Sequence, residues 1–312
     1  MAKAAMLFPG QGSQYVGMGK DLADAYPRVR ELYERADDAL GLALSRLCFE
    51  GDAAELTLTK NAQPAILLHS VAVARVLGEE AGVVPAIAAG HSLGEYSALV
   101  AAGVLDEIDA LRIVRRRGEL MYEAGLKQPG TMAAVIGLEL EAVEEACREA
   151  AAGEVVVVAN VNSPGQIVVS GHIRAVERAL ETAAARGAKK TIPLAVSGAF
   201  HSPLVASAQK DLVAYIEGFA IRDAEIGVVT NVDARVVRKK EEIVDALSRQ
   251  LTNPVRWSES MSTLLKEWSG PVIEAGPGKV LAGLLKRIDP SRSVRCAGTA
   301  AEIASLAAAP AA

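Results

Sequence analysis

Short apolar runs that end in glycine-rich loops recur at both ends of this chain, and each is followed by a stretch with helical spacing. The three clearest runs cover residues 4–8, 86–89 and 272–275. Strands that alternate with helices in this way predict a parallel α/β sheet. Because open α/β sheets bind ligands at the carboxyl ends of their strands, we expect the functional site in the loops that follow these runs.

The middle of the chain has a different pattern. Its segments follow the order βαββαβ, which we assign to residues 131–137, 141–151, 155–161, 166–170, 173–186 and 189–196. This order is typical of a ferredoxin-like domain. We therefore predict an α/β-hydrolase-like large domain formed by residues 1–127 and 198–312, with an inserted ferredoxin-like small domain at residues 128–197.

Composition excludes several classes of protein. Hydrophobic residues make up 51% of the 312, and 33 Lys and Arg against 38 Asp and Glu leave a net charge of −5. A disordered chain has fewer apolar residues, and a nucleic-acid-binding protein usually has a basic surface. We therefore expect a folded protein that binds no nucleic acid.

The cysteines and the apolar segments indicate the compartment. Cys48, Cys147 and Cys296 form no CxxC pair, so we expect neither a metal site nor a disulfide framework. The most apolar stretch, residues 64–77, is too short and too interrupted to span a membrane, and the apolar run at the start is too short for a signal peptide. These features predict a cytoplasmic protein without a membrane segment.

Residues 90–94 match G-x-S-x-G, the strand-to-helix turn that exposes a nucleophilic serine. A helix that starts just after Ser92 leaves backbone amides, notably that of Leu93, free to bind an oxyanion. The alternative is a tight turn in which the serine only caps the helix. The apolar run before the motif and the helix-compatible segment after it favour the nucleophile.

A nucleophilic serine needs a general base, and the chain has four histidines. His69 lies in an apolar segment and suits a buried structural role, His91 adjoins the serine and suits the shape of the turn, and His172 opens a predicted helix. His201 lies between a predicted strand and a helix that Ser202 can cap. By elimination, we favour His201 as the base.

One cation also stands out. Arg115, Arg116 and Arg117 are consecutive on a predicted helix, but Arg117 has apolar residues, Ile113 and Met121, one turn away on both sides. We therefore expect Arg117 to be partly buried. A buried guanidinium requires a carboxylate partner, either from the protein or from a substrate.

The glycine loop at residues 10–12 does not fit a nucleotide-binding motif, because Tyr15 occupies the position of the third glycine. A close approach of this loop to the serine is the better explanation of its glycines.

Several motifs, taken in order, resemble the malonyl-CoA:acyl-carrier-protein transacylases of type II fatty acid synthesis. The resemblance covers nearly the whole chain. The motifs are residues 8–14, 90–95, 117–118 with 121, 128–132, 160–166, 199–202, 250–251 and 274–278.

The resemblance implies a serine–histidine dyad and a ping-pong reaction. Ser92 would carry the malonyl group as an ester, and His201 would transfer the proton. Backbone carbonyls near Gln250 would orient the imidazole in place of the usual carboxylate. The backbone amides of Gln11 and Leu93 would form the oxyanion hole.

The resemblance also implies a substrate, a partner and no cofactor. Arg117 would bind the free carboxylate of malonyl-CoA, and the acyl carrier protein would receive the malonyl group. Bulky Phe200 departs from the small serine that stand-alone bacterial members often have before the histidine. Because this side chain would crowd an α-methyl group, we predict selection of malonyl over methylmalonyl.

An acidic carrier protein would dock on a local basic patch. The candidates are Lys189 with Lys190, Lys286 with Arg287, and residues 235–240. The competing functions are a stand-alone acyltransferase for a polyketide synthase, a hydrolase of acyl thioesters, and a carrier-protein binder without catalytic activity.

Overall fold

The computed structural model describes residues 1–308, which form ten strands in two sheets and fourteen α-helices. The strands are β1 (Ala2–Phe8), β2 (Val83–Gly90), β3 (Gly130–Ile136), β4 (Val156–Ser163), β5 (Gln166–His172), β6 (Lys190–Pro193), β7 (Gly227–Val229), β8 (Val236–Val237), β9 (Val272–Ala275) and β10 (Val294–Ala297). The helices are α1 (Lys20–Ala25), α2 (Pro27–Leu40), α3 (Leu44–Glu50), α4 (Ala53–Thr57), α5 (Thr59–Glu80), α6 (Gly94–Ala101), α7 (Glu107–Lys127), α8 (Leu140–Ala150), α9 (Ile173–Ala185), α10 (Ala206–Ile216), α11 (Lys240–Gln250), α12 (Trp257–Glu267), α13 (Val280–Ile288) and α14 (Ala300–Ala307).

The larger sheet has the strand order β10-β9-β1-β2-β7-β8, and its pairs are parallel except for β7 with β8. Helices cover both faces, and alternation along β1 explains why. Met6 and Phe8 pack on one face with α5 and α7, whereas Ala5 and Leu7 pack on the other face with α12 and α13. Successive strand residues point to opposite faces, so a sheet covered on both sides needs apolar residues at every position. The prediction of a parallel α/β sheet is confirmed.

The smaller sheet is antiparallel and has the order β4-β5-β3-β6. Helices α8 and α9 pack on it around a separate apolar core. The order of elements agrees with the predicted βαββαβ arrangement. The last strand is shorter than predicted: β6 ends at Pro193, Leu194 still donates its amide to the carbonyl of Met132, and residues 194–196 line the cavity described below. The domain boundaries at 127/128 and 197/198 stay a prediction.

The two sheets are joined beside the predicted site. Val161 donates its amide to the carbonyl of Val255, and Val255 donates its amide to the carbonyl of Ala159. These bonds connect β4 to the segment before α12. The smaller sheet therefore forms a wall of the cleft above the carboxyl ends of β1 and β2.

Among residues 1–308, no helix is long and apolar enough to cross a membrane. The segment at 64–77, singled out from the sequence, lies within the buried helix α5.

Close backbone packing shapes the turn between β2 and α6. A Cβ atom added to Gly94 would lie 2.0 Å from the carbonyl oxygen of Phe8, and one added to Gly90 would lie 1.9 Å from the carbonyl carbon of Gly94. Gly10 is similarly close to the turn, since its added Cβ would lie 2.5 Å from the carbonyl oxygen of His91. These glycines let β1, its loop and the turn meet at van der Waals distance.

We expect Gly94→Ala to lower the free energy of unfolding by about 1–3 kcal/mol, because the new methyl group meets rigid backbone. Gly283→Ala is the matched control: Gly283 lies in α13 with open space around its added Cβ. That change should raise the free energy by about 0.5–1 kcal/mol through helix propensity. Urea unfolding followed by circular dichroism measures both, and equal effects would contradict the packing argument.

Candidate active site

Ser92 lies at the tip of the turn between β2 and α6. Its φ is 51°, a left-handed conformation that is strained for a residue with a side chain. The turn is held by Asn231, whose Oδ1 accepts a hydrogen bond from the Ser92 amide at 2.7 Å and whose Nδ2 donates to the Gly90 carbonyl at 2.7 Å. The strained turn therefore presents the serine hydroxyl to the cleft.

His201 lies 109 residues further along the chain, and its Nε2 is 2.8 Å from Ser92 Oγ. Its Nδ1 is 3.0 Å from the carbonyl oxygen of Gln250 and 3.2 Å from that of Asn253. Because carbonyl oxygens only accept hydrogen bonds, they require the proton on Nδ1 and leave Nε2 free to accept the serine proton. His201 also has a positive φ, 55°.

The environment keeps this imidazole neutral. Burial, together with the positive charge of Arg117, lowers the pKa of His201 to about 3. A neutral imidazole is the form that can accept a proton from the serine hydroxyl. The arrangement therefore suits a general base without an acidic partner.

Arg117 lies on α7 and is only 1% exposed, so it is fully buried where the sequence predicted partial burial. Its Nη1 donates to Gln63 Oε1 at 2.7 Å, and its Nη2 donates to Ser92 Oγ at 3.1 Å and Gln250 Oε1 at 3.0 Å. Burial lowers the pKa of this guanidinium, and the nearby Tyr96 and Glu95 act in the opposite direction. All three hydrogen-bond acceptors are neutral, and Nε is buried without a partner among the described residues.

The neighbouring arginines differ, as the sequence indicated. Arg115 and Arg116 are half-buried and form ion pairs with Glu119, and Arg116 also reaches Glu123. The guanidinium of Arg117 is thus the one of the three that faces the serine.

A cavity of about 340 Å³ opens above Ser92. One wall is cationic and polar, with Arg117, His201 and Gln11, and the other is apolar. The apolar wall consists of Met121, Met132, Leu194, Val196 and Phe200. Phe200 is 4% exposed, and its side chain borders the space beside the dyad. A larger cavity of about 650 Å³ also reaches His201, but its lining includes neither Ser92 nor Arg117.

Gln11 and Leu93 both border this cavity, on the loop after β1 and on the turn after β2. Within residues 1–308, no backbone carbonyl accepts a hydrogen bond from either amide. The assignment of these two amides to an oxyanion hole stays a prediction.

The remaining histidines do not approach the serine hydroxyl. His69 is fully buried and its Nε2 contacts the carbonyl of Gly298, whereas His91 Nε2 lies 2.8 Å from Asn162 Oδ1. The Nδ1 of His172 accepts from the amide of Val155 and does not cap α9.

Three polar residues of the site were not predicted from the sequence. Asn231 follows β7, a strand of three residues that is too short to recognise as apolar periodicity. Gln63 precedes the apolar stretch of α5, and Glu95 directly follows the serine motif. Asn231 could have been predicted as a polar residue near the carboxyl end of a strand. Glu95 could have been predicted as a carboxylate close to Ser92 in the sequence.

The candidate docking patches differ in charge balance. In residues 235–240, Arg235 pairs with Asp233 and Glu242, and Lys239 pairs with Asp223. That patch is therefore largely neutralised by its own carboxylates. Arg287 donates to Gln166 Oε1 at 2.7 Å, at the turn between β4 and β5. Lys189 with Lys190 and Lys286 with Arg287 both stay predicted docking patches.

In the described part of the chain, no group of three or more His, Cys, Asp or Glu side chains is placed to hold a metal ion.

Comparison with known proteins agrees with this geometry. The model of the acyl transferase domain family matches residues 5–309. The family match, together with Ser92 on a strand-to-helix turn beside His201, defines the class as an acyl transferase.

Similar proteins of known sequence show which kind of acyl transferase this is. The malonyl CoA-acyl carrier protein transacylase of Bacillus subtilis strain 168 is 49% identical over 290 residues, covering 93% of this chain and 91% of the relative. That of Escherichia coli K12 is 47% identical over 288 residues, covering 92% and 93%. The chain belongs to the malonyl CoA-acyl carrier protein transacylase family.

Solved structures have the same fold. The malonyl-CoA:acyl carrier protein transacylase of Xanthomonas oryzae superposes with a TM-score of 0.94 at 44% identity, covering 98% of this chain and 97% of that one. A malonyl-transacylase solved in complex with its type II polyketide synthase acyl carrier protein also has a TM-score of 0.94, at 45% identity, covering 98% and 99%.

The pKa of His201 leads to a test of the base. A fluorophosphonate probe should label Ser92 at a rate that changes less than about threefold between pH 7 and pH 5, because an imidazole with a pKa near 3 stays neutral there. An imidazole with an ordinary pKa would lose more than about tenfold over this range. Intact mass measures the labelling, Ser92→Ala is the unlabelled control, and a tenfold loss would contradict the prediction.

Proposed function

We propose that this protein transfers the malonyl group from malonyl-CoA to the pantetheine thiol of acyl carrier protein through a malonyl ester on Ser92. One observation carries the proposal: a buried guanidinium, that of Arg117, lies 3.1 Å from the hydroxyl of a serine that already contacts a neutral histidine. Such a site suits an acyl group that also carries a carboxylate. The names of the relatives support the same substrate and acceptor.

In the first half-reaction, Ser92 Oγ attacks the thioester carbonyl carbon and its proton moves to His201 Nε2. The negative charge that develops on the carbonyl oxygen is stabilised by the amides of Gln11 and Leu93; the loss of one such donor typically costs about 2.7–4 kcal/mol. The carbon–sulfur bond then breaks, and the CoA sulfur leaves with the proton from His201.

In the second half-reaction, the pantetheine thiol of the carrier protein gives its proton to His201 as its sulfur attacks the ester carbonyl. The carbon–oxygen bond breaks, and Ser92 Oγ recovers the proton. The backbone carbonyl of Gln250 accepts a hydrogen bond from Nδ1–H of His201 in both half-reactions. The reaction is therefore ping-pong, with the acyl-enzyme between two thioesters.

Arg117 distinguishes this function from hydrolysis of neutral acyl thioesters. The direct hydrogen-bond partners of this buried guanidinium are all neutral, so a carboxylate on the acyl group gains a charged donor that a neutral acyl chain cannot use. The dyad also argues against a carrier-protein binder without catalytic activity, because its hydrogen-bond geometry serves no purpose in docking.

The carrier protein defines two alternatives. We propose a role in fatty acid elongation, and the solved complex of a relative with a polyketide carrier protein supports a stand-alone acyltransferase for a polyketide synthase as the second candidate. The two candidates share every residue of the site. Rates of malonyl transfer to the two kinds of carrier protein distinguish them.

We also propose that the reaction needs no cofactor and takes place in the cytoplasm. The dyad supplies both nucleophile and base, and the three cysteines are free, as is usual in a reducing compartment. Activity after dialysis against a chelator and cell fractionation test these two points.

Labelled malonyl-CoA tests the function directly. We expect intact mass to show one malonyl group on Ser92, which moves to the carrier protein when that protein is added. Ser92→Ala should remain unlabelled. Rapid release of free malonate in place of transfer would identify a hydrolase, and the absence of any ester would reject the proposal.

The role of Arg117 predicts a selective defect. Arg117→Ala should slow malonyl loading by about ten- to a hundredfold more than acetyl loading, because only malonyl offers a carboxylate to a buried charged donor. Arg116→Ala, on the same helix and paired with Glu119 and Glu123, should leave both rates nearly unchanged. Stopped-flow loading measures all four rates, and an equal loss for malonyl and acetyl would refute the carboxylate role.

Phe200 predicts selection by size. The wild-type protein should load malonyl about ten- to two-hundredfold faster than methylmalonyl, since packing against one methyl group is worth about 1–3 kcal/mol. Phe200→Ala should reduce this ratio while malonyl loading changes little. Competition between the two CoA esters, followed by mass of the acyl-enzyme, measures the ratio; a wild-type ratio near one would overturn the prediction.

A further inference from the structure

Glu95 is a buried carboxylate for which the reaction described above has no use. It lies in the first turn of α6, three residues after Ser92, and is 2% exposed. Its Oε2 accepts a hydrogen bond from Gln250 Nε2 at 2.7 Å and one from the backbone amide of Asn231 at 3.2 Å. A buried carboxylate is unfavourable unless it is paired or performs a task.

Gln250 connects this carboxylate to the site. The side-chain amide of Gln250 donates to Glu95 and to the carbonyl of Ser92, at 3.1 Å, and its Oε1 accepts from Arg117 Nη2. Rotating the amide by half a turn would place its NH₂ group against the guanidinium and its oxygen against the carboxylate. Glu95 therefore fixes the orientation in which Gln250 can hold Arg117.

The negative charge of Glu95 also affects Arg117. The direct partners of the Arg117 guanidinium are neutral, and Glu95 is a carboxylate close enough to interact with it electrostatically. In the empty site, Glu95 and Arg117 thus form a separated ion pair bridged by Gln250. A malonyl carboxylate on Arg117 would bring a second negative charge into the same buried space, where two carboxylates are strongly unfavourable.

We propose that Glu95 is a positioning residue that orients Arg117 through Gln250, balances its charge in the empty site, and takes up a proton when the malonyl carboxylate binds. This inference rests on the proposed function. The proton comes from solvent and converts the carboxylate to the neutral acid, so that the malonyl group becomes the only anion beside Arg117. The exchange removes the repulsion that a second carboxylate would otherwise meet beside Arg117.

The direction of the pH dependence follows from the groups that face Glu95. Burial raises the pKa of Glu95 to about 7, and Asp233 acts in the same direction; the bonds from Gln250 and Asn231 and the charge of Arg117 oppose them. His201 and Tyr96 have pKa values of about 3 and about 12, so neither titrates near neutrality. Rising pH ionises Glu95 and weakens malonyl binding, whereas acetyl binding is insensitive.

Calorimetry measures the proposed proton uptake directly. Ser92→Ala has no hydroxyl to acylate, and we expect it still to bind CoA esters. It is titrated with malonyl-CoA and with acetyl-CoA near pH 7.5 in two buffers of different ionisation enthalpy. We expect malonyl-CoA to take up about half a proton more than acetyl-CoA. Adding Glu95→Gln, which keeps an acceptor of the same size, should abolish the difference. Equal uptake for both esters, or an unchanged difference in the Glu95→Gln background, would overturn the proposal.

A second measurement needs no variant. In the wild-type protein, the KM for malonyl-CoA loading should rise by up to about tenfold per pH unit above pH 7, while that for acetyl-CoA stays flat. Parallel profiles would reject the role of Glu95, since a merely structural carboxylate affects both esters alike. Failure of the proposed function is distinct from either result, because it would leave no malonyl ester on Ser92 at any pH.

Discussion

The site depends on a guanidinium that is buried next to the hydroxyl of Ser92. Arg117 is almost fully buried, its Nη2 donates directly to the hydroxyl of Ser92, and its other hydrogen-bond partners are also neutral. A charge in such a position is tolerated only if the surrounding groups are oriented toward it. Gln63 and Gln250 present their amide oxygens, and the ring of Tyr96 lies 5.6 Å away. Burial and, second to it, the same charge keep the imidazole of His201 neutral, so one side chain contacts Ser92 and also lowers the pKa of His201.

Strain at the dyad is compensated by the packing around it. Ser92 and His201 are both held at positive φ, which costs roughly 1–3 kcal/mol for each residue. The glycines of the turn allow β1 to approach, and Asn231 fastens the turn through two hydrogen bonds. The carbonyls of Gln250 and Asn253 fix the imidazole from the other side. Two side chains from distant parts of the chain thereby keep a short and directional contact.

Much of the fold followed from periodicity. Runs of apolar residues predicted the central strands, because a sheet covered on both faces leaves its strands no polar side. The short strands could not be predicted in this way, because β7 has three residues and β8 has two, which is too few to show a period. Asn231 was missed for this reason, although it is the residue that holds the serine turn. The predicted last strand of the smaller sheet was too long, because β6 ends at Pro193 and residues 194–196 line the cavity.

The sequence by itself determined the types of residue that could react: one serine in a recognisable turn, one histidine favoured among four, and one arginine with apolar neighbours. It also carried the motifs that identify the family. The tertiary structure decided how these residues act together. Ser92, Arg117, His201 and Gln250 lie on four separate segments, and only the packing of those segments sets the distances and removes water. Charge balance and pKa depend on those distances and on burial, so the contacts that connect Glu95, Gln250 and Arg117 became visible only in three dimensions.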